Sequence, residues 1–199
     1  MLARNCMVAF ALFAAGLSAH GAEVGGVKVD DRVYIAQGLP ELELNGAGVR
    51  RKLMTRVYVA ALYLAKPLDS AEAILQDLGP KRFAMHVVQD EIQAGQFVAA
   101  LHDGLAANNS SPELAPLEKR IRDLAAMMQE VGRLRQGGTV LLDYLPGIGT
   151  RVTVNGVARL TIPGQDFQRA LLRIWLGERP VDGRLKRALL SGPPAALPF

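Results

Sequence analysis

The chain has 199 residues, 50% of them hydrophobic, with a net charge of +4 and a single cysteine, Cys6. One cysteine excludes a disulfide framework and leaves stability to a packed core, which a chain of this length can build. The slight cationic excess is scattered rather than gathered into a stripe with aromatics, which argues against a nucleic-acid surface.

Arg4 precedes an uncharged run, Met7 to Leu17, which the small residues Ser18-Ala19-His20-Gly21-Ala22 follow. That layout predicts a secretory signal peptide over residues 1–22, cut after Gly21 or Ala22. The run is too short to span a bilayer as a helix, and the alternative of a buried N-terminal helix does not account for Arg4 or for the abrupt Gly25-Gly26. The expectation is one exported domain over residues 23–199, working in the periplasm without a membrane span. Removal of the signal would take Cys6 with it.

Val27–Val29 and Arg32–Ile35 read as short strands around the turn residues Asp30-Asp31. Glu41–Leu44 alternates as a half-buried strand. Asn45-Gly46-Ala47-Gly48 interrupts it, predicting a bulge or a close approach to the backbone. Arg56–Leu64 is apolar on both faces and belongs in the centre of a covered sheet, ending before Pro67. Ser70 is placed to cap a short helix to Leu78, and Arg82–Val88 is a further strand. With Asp90 as cap, Ile92, Phe97, Val98, Leu101 and Leu105 predict an amphipathic helix from Glu91 to Ala107.

Leu117, Ile121, Leu124, Met128 and Val131 mark a longer helix with Pro116 in its first turn. The same spacing is compatible with a coiled-coil seam, but it lasts barely two heptads, and a core-facing helix is the simpler reading. Thr139–Leu145 and Thr150–Val154 are strands, and Asn155-Gly156 calls for a tight type I′ turn into Val157–Ile162. Phe167, Leu171, Ile174 and Trp175 form one face of a helix ending near Gly177, with Trp175 taken as core packing. Arg184–Leu190 is a last short helix, and the Pro-rich tail after Ser191 is expected to fray. Without regular strand-helix alternation the pattern is α+β.

Enzyme signatures are scarce. His86 and His102 lack metal-ligand spacing, so no metal or other cofactor is expected. Gly147-Ile-Gly149 lacks the following helix of a phosphate cradle, no Gly-x-Ser-x-Gly elbow exists, and Asp30-Asp31 and Asp90-Glu91 are adjacent pairs that suit turns and caps. One segment stands apart. In Leu44–Lys52 and Arg56–Leu64 a glycine-rich kink delivers Arg50 beside a strand carrying Tyr58. Strand alternation puts Lys52 on the face of Arg50, Leu62 on that of Tyr58, and Tyr63 on the opposite, core-facing side. Arg50, Arg51, Lys52 and Arg56 could equally be a solvated surface cluster.

This passage resembles the chalcone isomerase-like family, with its Gly-Ala-Gly-x-Arg element and its Lys-Val-Tyr-Ala-Ala-type strand ending in Tyr-Leu. Tyr144–Thr150, Val154–Gly156 and Ile174–Pro180 are similar to the family's bacterial exported branch, so the resemblance covers about residues 25–192. It implies an open-faced β-sandwich, an antiparallel sheet covered by a helical layer with a cleft between. The family includes isomerases that close a flavanone ring and binders that hold a fatty-acid carboxylate with an arginine and a tyrosine. By that resemblance Arg50 is the anion-contacting arginine and Tyr58 falls at the binders' tyrosine, although fewer residues separate the two here. Phe97 falls where the isomerases place a tyrosine, and Gly104 near their asparagine.

The resemblance therefore implies a non-catalytic binder of an amphiphilic anion such as a fatty acid, with Arg50, Tyr58, Lys52 and Phe97 as its ligand-binding residues. An isomerase acting on a conjugated phenolic ketone is the second reading, and an envelope interaction protein without a ligand the third.

Overall fold

The computed structural model describes residues 21–193; the expected signal run and the end of the Pro-rich tail lie outside them. The chain opens with the hairpin β1 (Gly21–Val24) and β2 (Val27–Asp30), then β3 (Arg32–Val33), β4 (Leu42–Lys52) and β5 (Thr55–Leu64). Helix α1 (Ala71–Gln76), β6 (Lys81–Val87), β7 (Glu91–Gln93) and α2 (Ala94–Asn108) follow. Then come α3 (Ser111–Leu114), a single 3₁₀ turn, α4 (Glu118–Val131), β8 (Arg133–Arg135) and β9 (Thr139–Leu145). The chain ends in β10 (Gly149–Val154), β11 (Val157–Ile162), α5 (Gln165–Leu176) and α6 (Gly183–Leu190).

Seven strands form one antiparallel sheet in the order β11-β10-β9-β6-β5-β4-β3. Alternation along β5 sends Ala60, Leu62 and Leu64 to the face under the helices, and Val59, Ala61 and Tyr63 to the face that Val29 of β2 and Ile35 help cover. The result is an α+β open-faced β-sandwich, and Tyr63 is core, as its position in the alternation predicts.

The glycine-rich stretch Asn45–Gly48 does not end its strand. It lies within β4 and does both things its composition suggests. The register slips between Leu44 and Gly46, a bulge, while α6 presses on the two glycines. A Cβ at Gly46 would lie 2.4 Å from the Ala188 carbonyl oxygen, and one at Gly48 would lie 2.7 Å from the Ala188 Cβ. The Asn45 side chain ties this contact down, donating to the Leu189 carbonyl at 2.9 Å and accepting from the Leu68 amide at 2.7 Å.

Several boundaries differ from expectation, and the helix capped by Ser70 ends at Gln76 rather than Leu78. Only Arg32–Val33 of the Arg32–Ile35 segment is strand. Glu91–Gln93 pairs with Arg133–Arg135 as a strand, so α2 starts at Ala94. Its first turn is closed by Gln96, whose side chain accepts from the Gln93 amide at 3.1 Å, rather than by Asp90. Pro116 sits in the 3₁₀ turn Ala115–Leu117 ahead of α4. The Leu117–Met128 stripe of that turn and helix packs into the core cluster, which is the simpler of its two readings. Asn155 and Gly156 take φ of 50° and 78°, as a type I′ turn requires. Gly21 and Ala22, beside the expected cut, pair with Asp30 and Val29, and Ala22 is buried.

Candidate functional site

Between the sheet and the helices lies a cavity of about 360 Å³, within the range of small-ligand sites. Its floor comes from the sheet, with Met85, Val140 and Val152, and its roof from Leu101 of α2, Met128 of α4 and Leu171 of α5. These six are buried and apolar. The exposed lining residues are Lys52, Leu53, Thr55, Gln96 and Ala100. The mouth therefore lies between the tip of the β4–β5 hairpin and the first turns of α2.

Arg50, Lys52, Tyr58 and Phe97 all line this cavity. Arg50 and Tyr58 are direct cross-strand partners in the β4–β5 ladder, so their side chains rise side by side on one face. A bulge follows at once, pairing Arg51 with Arg56 and Lys52 with Thr55. Lys52 reaches the mouth and is exposed, whereas Arg50 keeps only 18% of its side chain accessible. The even-spaced residues Arg50 and Lys52 thus share the cavity, and Arg51 and Arg56 remain on the exposed surface.

The surroundings of Arg50 leave its donors available. Its nearest carboxylate is Asp182, whose Oδ2 lies 3.8 Å from Nη1, too far for a hydrogen bond. Asp182 is engaged elsewhere. As N-cap of α6 its Oδ1 accepts from the amides of Arg184 at 2.8 Å and Leu185 at 3.2 Å, and its Oδ2 accepts from the Arg51 amide at 3.0 Å. Burial pushes the Asp182 pKa up, but these amides and the Arg50 charge outweigh it and hold the carboxyl below its ordinary range. The Arg50 guanidinium thus lies beside the Tyr58 phenol, with no carboxylate among the described residues at hydrogen-bond distance.

Tyr58 is poised differently. Trp175 Nε1 donates to its Oη at 2.8 Å, so the phenolic O–H is left to donate in turn. Burial pushes the Tyr58 pKa up to about 12, against the opposing pull of the Trp175 bond and the Arg50 charge. The phenol therefore keeps its proton throughout the physiological range. Trp175 is core, as expected, with its ring 4.1 Å from that of Phe83, but it also lines the cavity and fixes Tyr58. Sequence reasoning missed that second role; a buried indole N–H must find an acceptor, which was the available signal.

Phe97, half-buried, presents an apolar side chain to the cavity. At Gly104 a Cβ would lie 2.8 Å from Cγ2 of Ile174, so α2 and α5 close over that position and leave no room for an amide side chain. The site offers an apolar chamber with two adjacent hydrogen-bond donors, one cationic and one neutral. It suits an anion with an apolar body.

The fold matches that of an Arabidopsis thaliana fatty-acid binding protein in its crystal structure, with a TM-score of 0.61 and 15% identity, over 83% of this chain and 92% of that one. At that identity the likeness is one of fold. No curated protein matches the sequence. Residues 21–191, from the first strand past the last helix, match the family model described as chalcone isomerase-like, and the chain belongs to the chalcone isomerase-like family.

Proposed function

We propose that this protein is a non-catalytic carrier of a fatty acid or similar amphiphilic anion, exported by its N-terminal segment and working in the periplasm as one domain. The observation that carries the reading is the Arg50–Tyr58 pair in a cavity whose buried lining is apolar. A carboxylate there would accept from the guanidinium and the phenol, and each buried methylene of its tail would add about 0.8 kcal/mol. The fold shared with a plant fatty-acid binding protein supports it. So does the site's poverty in catalytic groups. An isomerase must favour a developing enolate over the bound substrate, and Phe97 and Gly104 supply neither hydroxyl nor amide for that purpose.

Mass spectrometry of the protein recovered from a periplasmic extract tests export and cargo together. The expected result is a chain beginning near Gly21–Glu23 with a long-chain carboxylic acid retained under native conditions. Arg50→Ala removes a charge-assisted hydrogen bond worth about 1.5–3 kcal/mol, so affinity for such an acid should fall about 10- to 100-fold. Wild-type protein that retains no acid and binds none in titration defeats the carrier reading. Turnover of a chalcone that depends on Arg50 would replace it with the isomerase.

A further inference from the structure

The β4–β5 hairpin turns through two residues, Leu53 and Met54, which are 94% and 93% exposed. Leu53 has a φ of 55°, a left-handed conformation that a branched aliphatic side chain adopts at a cost and that glycine or asparagine would adopt more easily. The same sheet shows the cheaper solution, since the β10–β11 hairpin places Asn155 and Gly156 at its turn. Neither folding nor solubility favours Leu53-Met54 at this tip. The flanking side chains Arg51, Lys52 and Arg56 are exposed, and among the described residues none has a carboxylate within 4 Å.

We propose that this hairpin tip docks the protein on a negatively charged lipid bilayer, Leu53 and Met54 entering the headgroup boundary while Arg51, Lys52 and Arg56 meet lipid phosphates. Two adjacent apolar side chains on a narrow hairpin, with cations behind them that have no carboxylate partner among the described residues, fit an interface that is anionic outside and apolar just beneath. A folded protein partner is a poorer fit, because a stable protein interface needs about 800 Å² from each side and this tip is only two residues wide. Attachment would be peripheral: among the described residues no helix is long and apolar enough to cross a membrane. Lys52, Leu53 and Thr55 also rim the cavity mouth, so a docked molecule turns that mouth toward the bilayer. Only the passage of cargo through the mouth rests on the carrier reading; docking rests on the hairpin alone.

The test is co-sedimentation of the purified protein, with no fatty acid added, with vesicles of phosphatidylcholine alone or mixed in equal parts with phosphatidylglycerol. Binding is expected to the anionic vesicles, to weaken at high salt, and to be much weaker to neutral ones. Leu53→Asn with Met54→Ser should weaken it about tenfold or more while leaving the melting temperature unchanged or raised, since Asn tolerates the backbone that Leu53 strains. Arg51→Gln with Arg56→Gln should weaken it about 25-fold, at about fivefold per charge. All variants keep the same N terminus, so the differences read the hairpin. Wild-type protein that ignores anionic vesicles, or tip variants that bind them equally well, would overturn the proposal. It would also fall if the Leu53/Met54 change dissolved a homodimer instead, which would make the tip a contact between copies. Because ligand titration is done without vesicles, a failure of docking is separable from a failure of the carrier reading.

Discussion

Tyr58 and Trp175 show how one hydrogen bond sets the polarity of a site. With Trp175 Nε1 donating to it, Tyr58 Oη has only its own proton left to offer, and burial keeps that proton in place. Tyr58→Phe should therefore act twice. It strands a buried indole N–H, costing about 1–3 kcal/mol of stability, and it removes the neutral donor beside Arg50. Urea unfolding should show a lower midpoint with an unchanged slope, and affinity for a carboxylate ligand should fall as well. Loss of affinity at full stability would mean that Trp175 finds another acceptor. Strand alternation made the face of Arg50 and Lys52 legible and the resemblance singled out Tyr58, but the register that pairs Arg50 with Tyr58 is set by the short hairpin and its bulge and is visible only in the structure. The Trp175 contact was not legible, since it joins α5 to β5 across more than a hundred residues and no local spacing encodes it.

At the scale of elements, the contact between α2 and α5 is set by a missing side chain. Gly104 lies against Ile174, and a methyl at Gly104 would sit 2.8 Å from Cγ2 of that buried, β-branched residue. Gly104→Ala gains about 1 kcal/mol in helix propensity but overpacks the interface by about 1–3 kcal/mol, so net destabilisation is expected. Denaturant unfolding measures it, and Ile174→Val should return part of the loss in the double variant; simple additivity would refute the contact as the cause. The resemblance placed Gly104 near a functional position, yet the reason it is glycine is visible only in packing. The start of α2 escaped notice for a similar reason. Ile92 continues the apolar period of Phe97, Leu101 and Leu105, but Glu91–Gln93 finds strand partners in Arg133–Arg135, and distant pairing overrides local pattern. By contrast Gly46 and Gly48 were readable, because two glycines in a strand signal that another group comes close, and α6 does.

For the molecule as a whole, the cavity's helical roof is tied down by carboxylates whose protonation would loosen it. Asp166 of α5 accepts from Arg120 of α4 through both oxygens, at 2.8 and 2.7 Å, and that contact is the main reason its pKa lies below the ordinary value. Glu113 of α3 accepts from Arg173 of α5 at 2.8 Å and from the Ser110 amide and hydroxyl, which bring its pKa down to about 2. Asp182, lowered by its amide contacts, joins α6 to β4. Each carboxyl has a lower pKa folded than unfolded, so each releases its proton more readily in the native state. Their contribution is complete above the unfolded value of about 4 and is lost as pH falls through the lowered folded values, that of Glu113 being about 2. The melting temperature should accordingly be nearly level between about pH 5 and 7 and fall steadily between about pH 4.5 and 2. Asp166→Asn should lower it at neutral pH and shallow the acid slope, because the variant has one fewer proton to take up on unfolding. A wild-type melting temperature as high at pH 2.5 as at pH 6 would show that these contacts contribute nothing. Because α4 and α5 roof the cavity and these contacts tie α4 and α3 to α5, ligand retention should fail on the same acid limb, before the sheet's far-ultraviolet signal is lost.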